Sequence, residues 1–153
     1  FLSLFQAELA ARLCVPVATS SLMQVPMVQA LLPPGKRVGV VTVSAGSLTS
    51  AHLLAANCPE DLPFVGTEGG REFFRVLIKA EKDDMDVALA REDILDAGRE
   101  LVARHPEVGA IVLECTNMPP YAASLSEAVG LPVFDIYSFI TWFHAGLRPR
   151  AFA

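Results

Sequence analysis

The sequence predicts an α/β protein with a parallel sheet flanked by helices, and three observations lead there. The runs Arg37–Val43 and Val108–Leu113 are largely apolar and rich in β-branched residues, as strands buried on both faces of a parallel sheet are. Such runs alternate along the chain with segments of helical periodicity, an order that generates parallel strands joined by right-handed crossovers. The chain has 153 residues, 52% of them hydrophobic and 19% charged, which is enough apolar material for an ordinary domain core.

Each element follows from its local pattern. Leu2, Leu4, Phe5, Leu9 and Leu13 fall at helical spacing and predict a first helix. Val15–Thr19 is a short β-branched run that reads as a strand, with Ser20-Ser21 capping a helix over Leu22–Leu32. Pro26 is tolerated in that helix as a first-turn or kink residue. Pro33-Pro34-Gly35 stops the pattern and is the best internal boundary. Beyond it the strand Arg37–Val43 leads through Ser44-Ala45-Gly46-Ser47 into a helix over Leu48–Asn57. A short strand at Leu62–Val65 and a helix at Glu72–Ile78 come next, then a long amphipathic helix over Met85–Arg104. His105-Pro106 ends it. Val108–Leu113 is a strand, Met118–Val129 a helix, Val133–Asp135 a strand and Ile136–Leu147 a last helix.

Composition narrows the function classes. Twelve Lys and Arg against 17 Asp and Glu give a net charge of −5, and the basic residues are scattered, so no nucleic-acid footprint is expected. The longest apolar runs fall well short of the roughly 18 residues of a membrane span, and Phe1-Leu-Ser-Leu-Phe has neither the basic flank nor the cleavage site of a signal peptide. The three cysteines, Cys14, Cys58 and Cys115, form neither a C-x-x-C pair nor an even framework. A reducing, cytoplasmic setting is therefore expected. His52, His105 and His144 lack metal-ligand spacing. No nucleophile elbow or dinucleotide fingerprint occurs, and none of the three lysines sits in an apolar loop suited to a Schiff base.

Ligands of parallel sheets bind at the carboxyl ends of strands, near a switch in strand order. Two loops therefore stand out. The first, Glu114-Cys115-Thr116-Asn117-Met118-Pro119-Pro120, sets a thiol at a strand end close to a helix start. Amides and the helix dipole there are expected to lower the thiol pKa from about 8.5 toward neutrality. The competing reading makes Cys115 a small buried hydrophobe. The second loop, with Ser44, Gly46 and Ser47, has the small residues of an anion cradle, or else those of an ordinary capped turn.

The strand–Cys–Thr–x–x–Pro arrangement at Leu113–Pro119 resembles the second cysteine motif of the aspartate/glutamate/hydantoin racemase superfamily. Val38–Ser50 looks like the opening strand and ligand loop of that superfamily's second domain. The resemblance implies two facing flavodoxin-like α/β domains, each giving one cysteine to a shared cleft, and a racemase or epimerase acting without cofactor on a small carboxylate or amino acid. One thiolate removes the proton beside a carboxylate, and the opposite thiol returns one to the other face. By position Cys115 is the second-domain acid/base. Thr116 and Asn117, with Ser44, Gly46 and Ser47, are the substrate-binding residues. Residues 1–34 are then a remnant of the first domain, 35–147 the second domain and 148–153 a tail. The first-domain cysteine would precede Phe1, so this segment alone is expected to be inactive. Decarboxylation or maleate isomerisation, known in the same superfamily, is the alternative chemistry, and a non-catalytic ligand-binding member the alternative class. The expected partner is the small carboxylate, without nucleic acid or membrane. The aromatic last helix is expected to cover the first domain or a second subunit, as in a homo-oligomer.

Overall fold

The structure, a computed structural model, describes residues 2–152. In chain order it comprises α1 (Gln6–Arg12), α2 (Gln24–Leu31), β1 (Arg37–Thr42), α3 (Ser50–Ala55), β2 (Phe64–Gly66), α4 (Phe73–Leu77), α5 (Val87–Arg104), β3 (Val108–Leu113), α6 (Ala122–Val129), β4 (Val133–Phe134) and α7 (Ile136–Leu147). Single 3-10 turns precede α1, α2 and α6, and another lies at Ala45–Ser47. The four strands form one parallel sheet in the order β2-β1-β3-β4. The fold class is the one the alternating pattern predicts.

The two long apolar runs become the central strands. They pair from Arg37 opposite Val108 to Val41 opposite Leu113. Alternation along each strand divides the core into two layers. Val38, Val40, Ala110 and Val112 face a layer with Leu22, Val25 and Val28 of the α2 segment and Leu48 and Leu53 around α3. Val41, Ile111 and Leu113 face the opposite layer, built from α5, α6 and the residues around α4. Segments on both sides of the Pro33-Pro34-Gly35 turn thus share one core. The turn closes with Lys36 N–H donating to the Pro33 carbonyl (3.1 Å), and Gly35 takes φ +82°, a conformation glycine adopts without steric cost.

The crossover α5 connects β2 to β3 and begins at Asp86, whose carboxylate accepts from the amides of Ala88 (2.9 Å) and Leu89 (3.1 Å). Its Gly98 allows close packing on α6, since a Cβ there would lie 2.2 Å from Leu125 Cδ1. Buried Asp93, also on α5, accepts from the amides of Arg71, Glu72 and Phe73 at 2.7–2.9 Å. It thereby tethers the start of α4.

Boundaries shift by a few residues at most, with one real difference. Val15–Thr19 is extended but pairs with no strand. Its β-branched composition favours extension, but it joins neither of the sheet's edge strands, β2 and β4. Gln6 holds the segment instead, donating to the Val17 carbonyl (3.0 Å) and accepting from Thr19 N–H (3.2 Å) and Thr19 Oγ1 (2.7 Å). The apolar faces at the two ends of the chain stay exposed: Leu2, Leu4 and Phe5 before α1, and Tyr137, Ile140 and Trp142 on α7. No helix among the described residues is long and apolar enough to cross a membrane.

Ile111 is fully buried at the centre of the sheet. Ile111→Ala is expected to lower unfolding stability by about 2–5 kcal/mol, through lost transfer free energy and the cavity left behind. Urea denaturation followed by circular dichroism measures it.

Candidate active site

β1 and β3 are neighbours in space, yet β2 lies between them in sequence. The connections after these two strands therefore leave toward opposite faces, and a crevice opens between their carboxyl ends. At that point Glu114 N–H still donates to the Val41 carbonyl (2.9 Å), so the ladder persists one residue past β3. Cys115-Thr116-Asn117 then turns away. Met118 N–H closes on the Cys115 carbonyl (3.1 Å) and Tyr121 N–H on the Met118 carbonyl (2.9 Å). Met118 is fully buried, and Tyr121 packs edge-on against Phe73, with ring centroids 6.0 Å apart. Cys115 is thus fixed between a ladder-bound residue and a buried anchor.

The thiol opens onto a cleft of about 310 Å³. Glu114, Cys115 and Thr116 form one wall and Val43 its base, while Leu2 and Ile78 contribute apolar contacts. Thr19, Ser20 and Ser21 form another wall. Ser21 Oγ lies 2.8 Å from the Leu113 carbonyl and 3.0 Å from the Glu114 carbonyl, tying this wall to the end of β3. Ser20 Oγ accepts from Leu22 N–H (3.2 Å) and keeps its own hydrogen to donate. From the end of β1, buried Thr42 Oγ1 donates to Glu114 Oε2 (3.0 Å).

Of the residues singled out in the sequence, Cys115 and Thr116 line this cleft, and Asn117 is exposed beside it, its backbone N–H hydrogen-bonding to the thiol. Ser44, Gly46 and Ser47 do not line it. Ser44 Oγ and Ser47 Oγ bond to each other (3.0 Å), and the Gly46 amide donates to Glu68 Oε1 (3.1 Å). The amide of that turn is engaged by an anion of the chain's own.

Glu114, Thr42 and the Thr19–Ser21 wall carried too little signal in the sequence to be singled out. Ser20-Ser21 after a β-branched run reads as a helix cap. A carboxylate ending an otherwise apolar strand was the one available clue to Glu114. Among the cysteines, Cys14 is exposed and does not line the cleft, and Cys58 is buried in the layer under α3, where burial pushes its thiol up to about 11. No three His, Cys, Asp or Glu side chains among the described residues are grouped to hold a metal ion.

The electrostatics of Cys115 differ from the sequence expectation. Its pKa is raised, not lowered: burial disfavours the thiolate most, the Asn117 amide opposes this, and the neighbouring Glu114 carboxylate adds to the rise. The continuous helix α6 begins only at Ala122, after the Pro119–Tyr121 turn, so its dipole lies beyond the first-turn range over which such effects act. Burial likewise raises the Glu114 pKa, against the Thr42 hydrogen bond.

An α/β domain with a half-buried cysteine at the switch point of a parallel sheet is the class of protein that fold and site define. The sequence profile described as Asp/Glu/Hydantoin racemase matches residues 4–143, and the chain belongs to that family. It is similar to a dimethylsulfoniopropionate lyase of Durusdinium sp. clade D, at 28% identity over 158 aligned positions that cover 98% of this chain and 52% of the relative. Dimethylsulfoniopropionate lyases 5 and 7 of Emiliania huxleyi (strain CCMP1516) are 29% and 32% identical, over 95% and 88% of this chain and 30% and 42% of their own lengths. The chain thus spans about half or less of these curated relatives.

Removing the Glu114 charge takes away one of the causes that hold the thiol protonated. Glu114→Gln is therefore expected to shift the pH profile of Cys115 alkylation to lower pH. Iodoacetamide labelling across pH 7–10, followed at the Cys115 peptide by mass spectrometry, checks the direction.

Proposed function

We propose that Cys115 is the acid/base thiol of a lyase that removes the proton beside the carboxylate of a small acid. The observation that carries this is the position of Cys115, the cysteine among the described residues that lines the cleft, at the carboxyl end of a central strand. The donors of Thr116 and Ser20 face the same space and suit a carboxylate, whose charge must be held while electron density moves toward it. Ile78 and Leu2 offer apolar contacts at the same cleft for the hydrocarbon part of such an acid.

The names of the relatives point to the fate of the carbanion. In dimethylsulfoniopropionate the carbon beside the one that loses the proton carries a sulfonium. The Cys115 thiolate takes the proton as the C–H bond breaks. The electron pair becomes a C=C bond, and the C–S bond breaks to release neutral dimethyl sulfide and leave acrylate. The thiol then gives its proton to solvent. An elimination of this kind needs one base and no proton delivery to the opposite face, so it makes a lighter demand on the cleft than racemisation.

Racemisation or epimerisation is the second reading, favoured by the match to the racemase profile. It needs a second proton donor on the far side of the α-carbon. Cys14 and Cys58 are not placed for that, so such a group would come from a domain beyond these residues. The α/β unit described here is then the half that supplies Cys115.

Cys115→Ser in the full-length protein is expected to lower turnover of dimethylsulfoniopropionate by about 10²–10⁴-fold or more, the usual effect of losing a proton-transfer group. Headspace gas chromatography of dimethyl sulfide measures it. Deuterium uptake at the α-carbon without dimethyl sulfide release would replace elimination with the racemase reading. Unchanged turnover in the variant would remove Cys115 from the chemistry.

A further inference from the structure

Glu114 has a second feature that proton transfer by Cys115 does not use. Its carboxylate is half-buried at the carboxyl end of the sheet and lines the same cleft as the thiol. One oxygen takes the Thr42 hydroxyl at 3.0 Å. Among the described residues no Lys, Arg or His forms an ion pair with it, whereas eight ion pairs stabilise acidic side chains elsewhere. The described residues that line the cleft include neither Lys, Arg nor His. A carboxylate taken partly out of water without a Lys, Arg or His partner is costly to the fold, and here it lines a cleft that a ligand can enter.

We propose that Glu114 is the specificity-determining residue of the cleft, receiving the cationic head of a small carboxylate that bears an onium group on its β-carbon. This rests on the reading above for the acid end of the substrate, which the Thr116 and Ser20 hydroxyls would face. The carboxylate attracts the onium carbon toward the sheet, and Cys115, the next residue, then stands beside the adjacent carbon. A dicarboxylate would set like charges together and is turned away. Binding has a second consequence. The onium charge offsets the Glu114 field at the neighbouring sulfur, so the thiol ionises more readily once substrate is present than in the empty cleft.

A pair of inert isosteres separates charge from shape: 3-(trimethylammonio)propionate and 4,4-dimethylpentanoate, which differ in the quaternary atom and so in its positive charge. In calorimetric titration of the full-length protein, the ammonium compound is expected to bind about 10- to 100-fold more tightly, the usual scale of a contact to a charged group. Glu114→Gln should abolish that preference, so that the two carboxylates bind alike. Glu114→Asp, which keeps the charge, should retain part of it. Equal binding of the two compounds by the wild-type protein overturns the proposal without any variant, and so does a preference that survives Glu114→Gln. The Cys115→Ser protein separates the two claims. Its charge preference should persist even though its turnover is lost. An active Cys115→Ser protein sinks the thiol mechanism alone, and an intact preference in Glu114→Gln sinks the present inference alone.

Discussion

The parallel pairing of β1 with β3 is the constraint from which the site follows. Because β2 intervenes in sequence but not in space, the chain must cross over β1 through α5, and the loops after β1 and β3 diverge. The space between them cannot be filled by either loop. Glu114, still bonded to the Val41 carbonyl, and Thr42, one residue further along β1, meet across that gap. The ladder that holds the core together therefore also sets the position of Cys115.

Rigidity here is unevenly distributed. On one side, the thiol loop is pinned by buried Met118 and by Tyr121 against Phe73. Asp93 and Glu72 pin the approach to Ile78: Asp93 accepts three amides, and Glu72 accepts from Asp86 N–H (2.6 Å) and pairs with Lys82 (2.6 Å). The Lys82 hydrogen bond, foremost, lowers the Glu72 pKa. On the other side, the Thr19–Ser21 wall is held by side-chain hydrogen bonds from Gln6 and Ser21 rather than by a strand ladder. A wall held in this way can adjust to a ligand at lower cost than a wall built into the sheet.

Burial and charge act together at residues 114 and 115. Both groups are moved toward their neutral forms by desolvation, and the ionised Glu114 disfavours the thiolate further. An empty cleft thus keeps the thiol protonated, a resting state less exposed to oxidation than a thiolate. Chemistry that needs the thiolate has to wait for something that changes the local field.

The apolar runs at Arg37–Val43 and Val108–Leu113, the turn at Pro33-Pro34-Gly35 and the periodicity of Ile136–Leu147 determined the sheet, its flanking helices and the position of Cys115 at a strand end. These are local properties, set by spacing and side-chain type within a few residues. Pairing is not local. Val15–Thr19 has strand composition but pairs with no strand, which no reading of those five residues could show. The Ser44-Gly46-Ser47 turn has the composition of an anion cradle, and only the folded chain brings Glu68 to its Gly46 amide. The sign of the Cys115 pKa shift was likewise decided by tertiary burial and by Glu114. Sequence reports which groups are near in the chain, whereas a desolvation cost depends on everything packed around them.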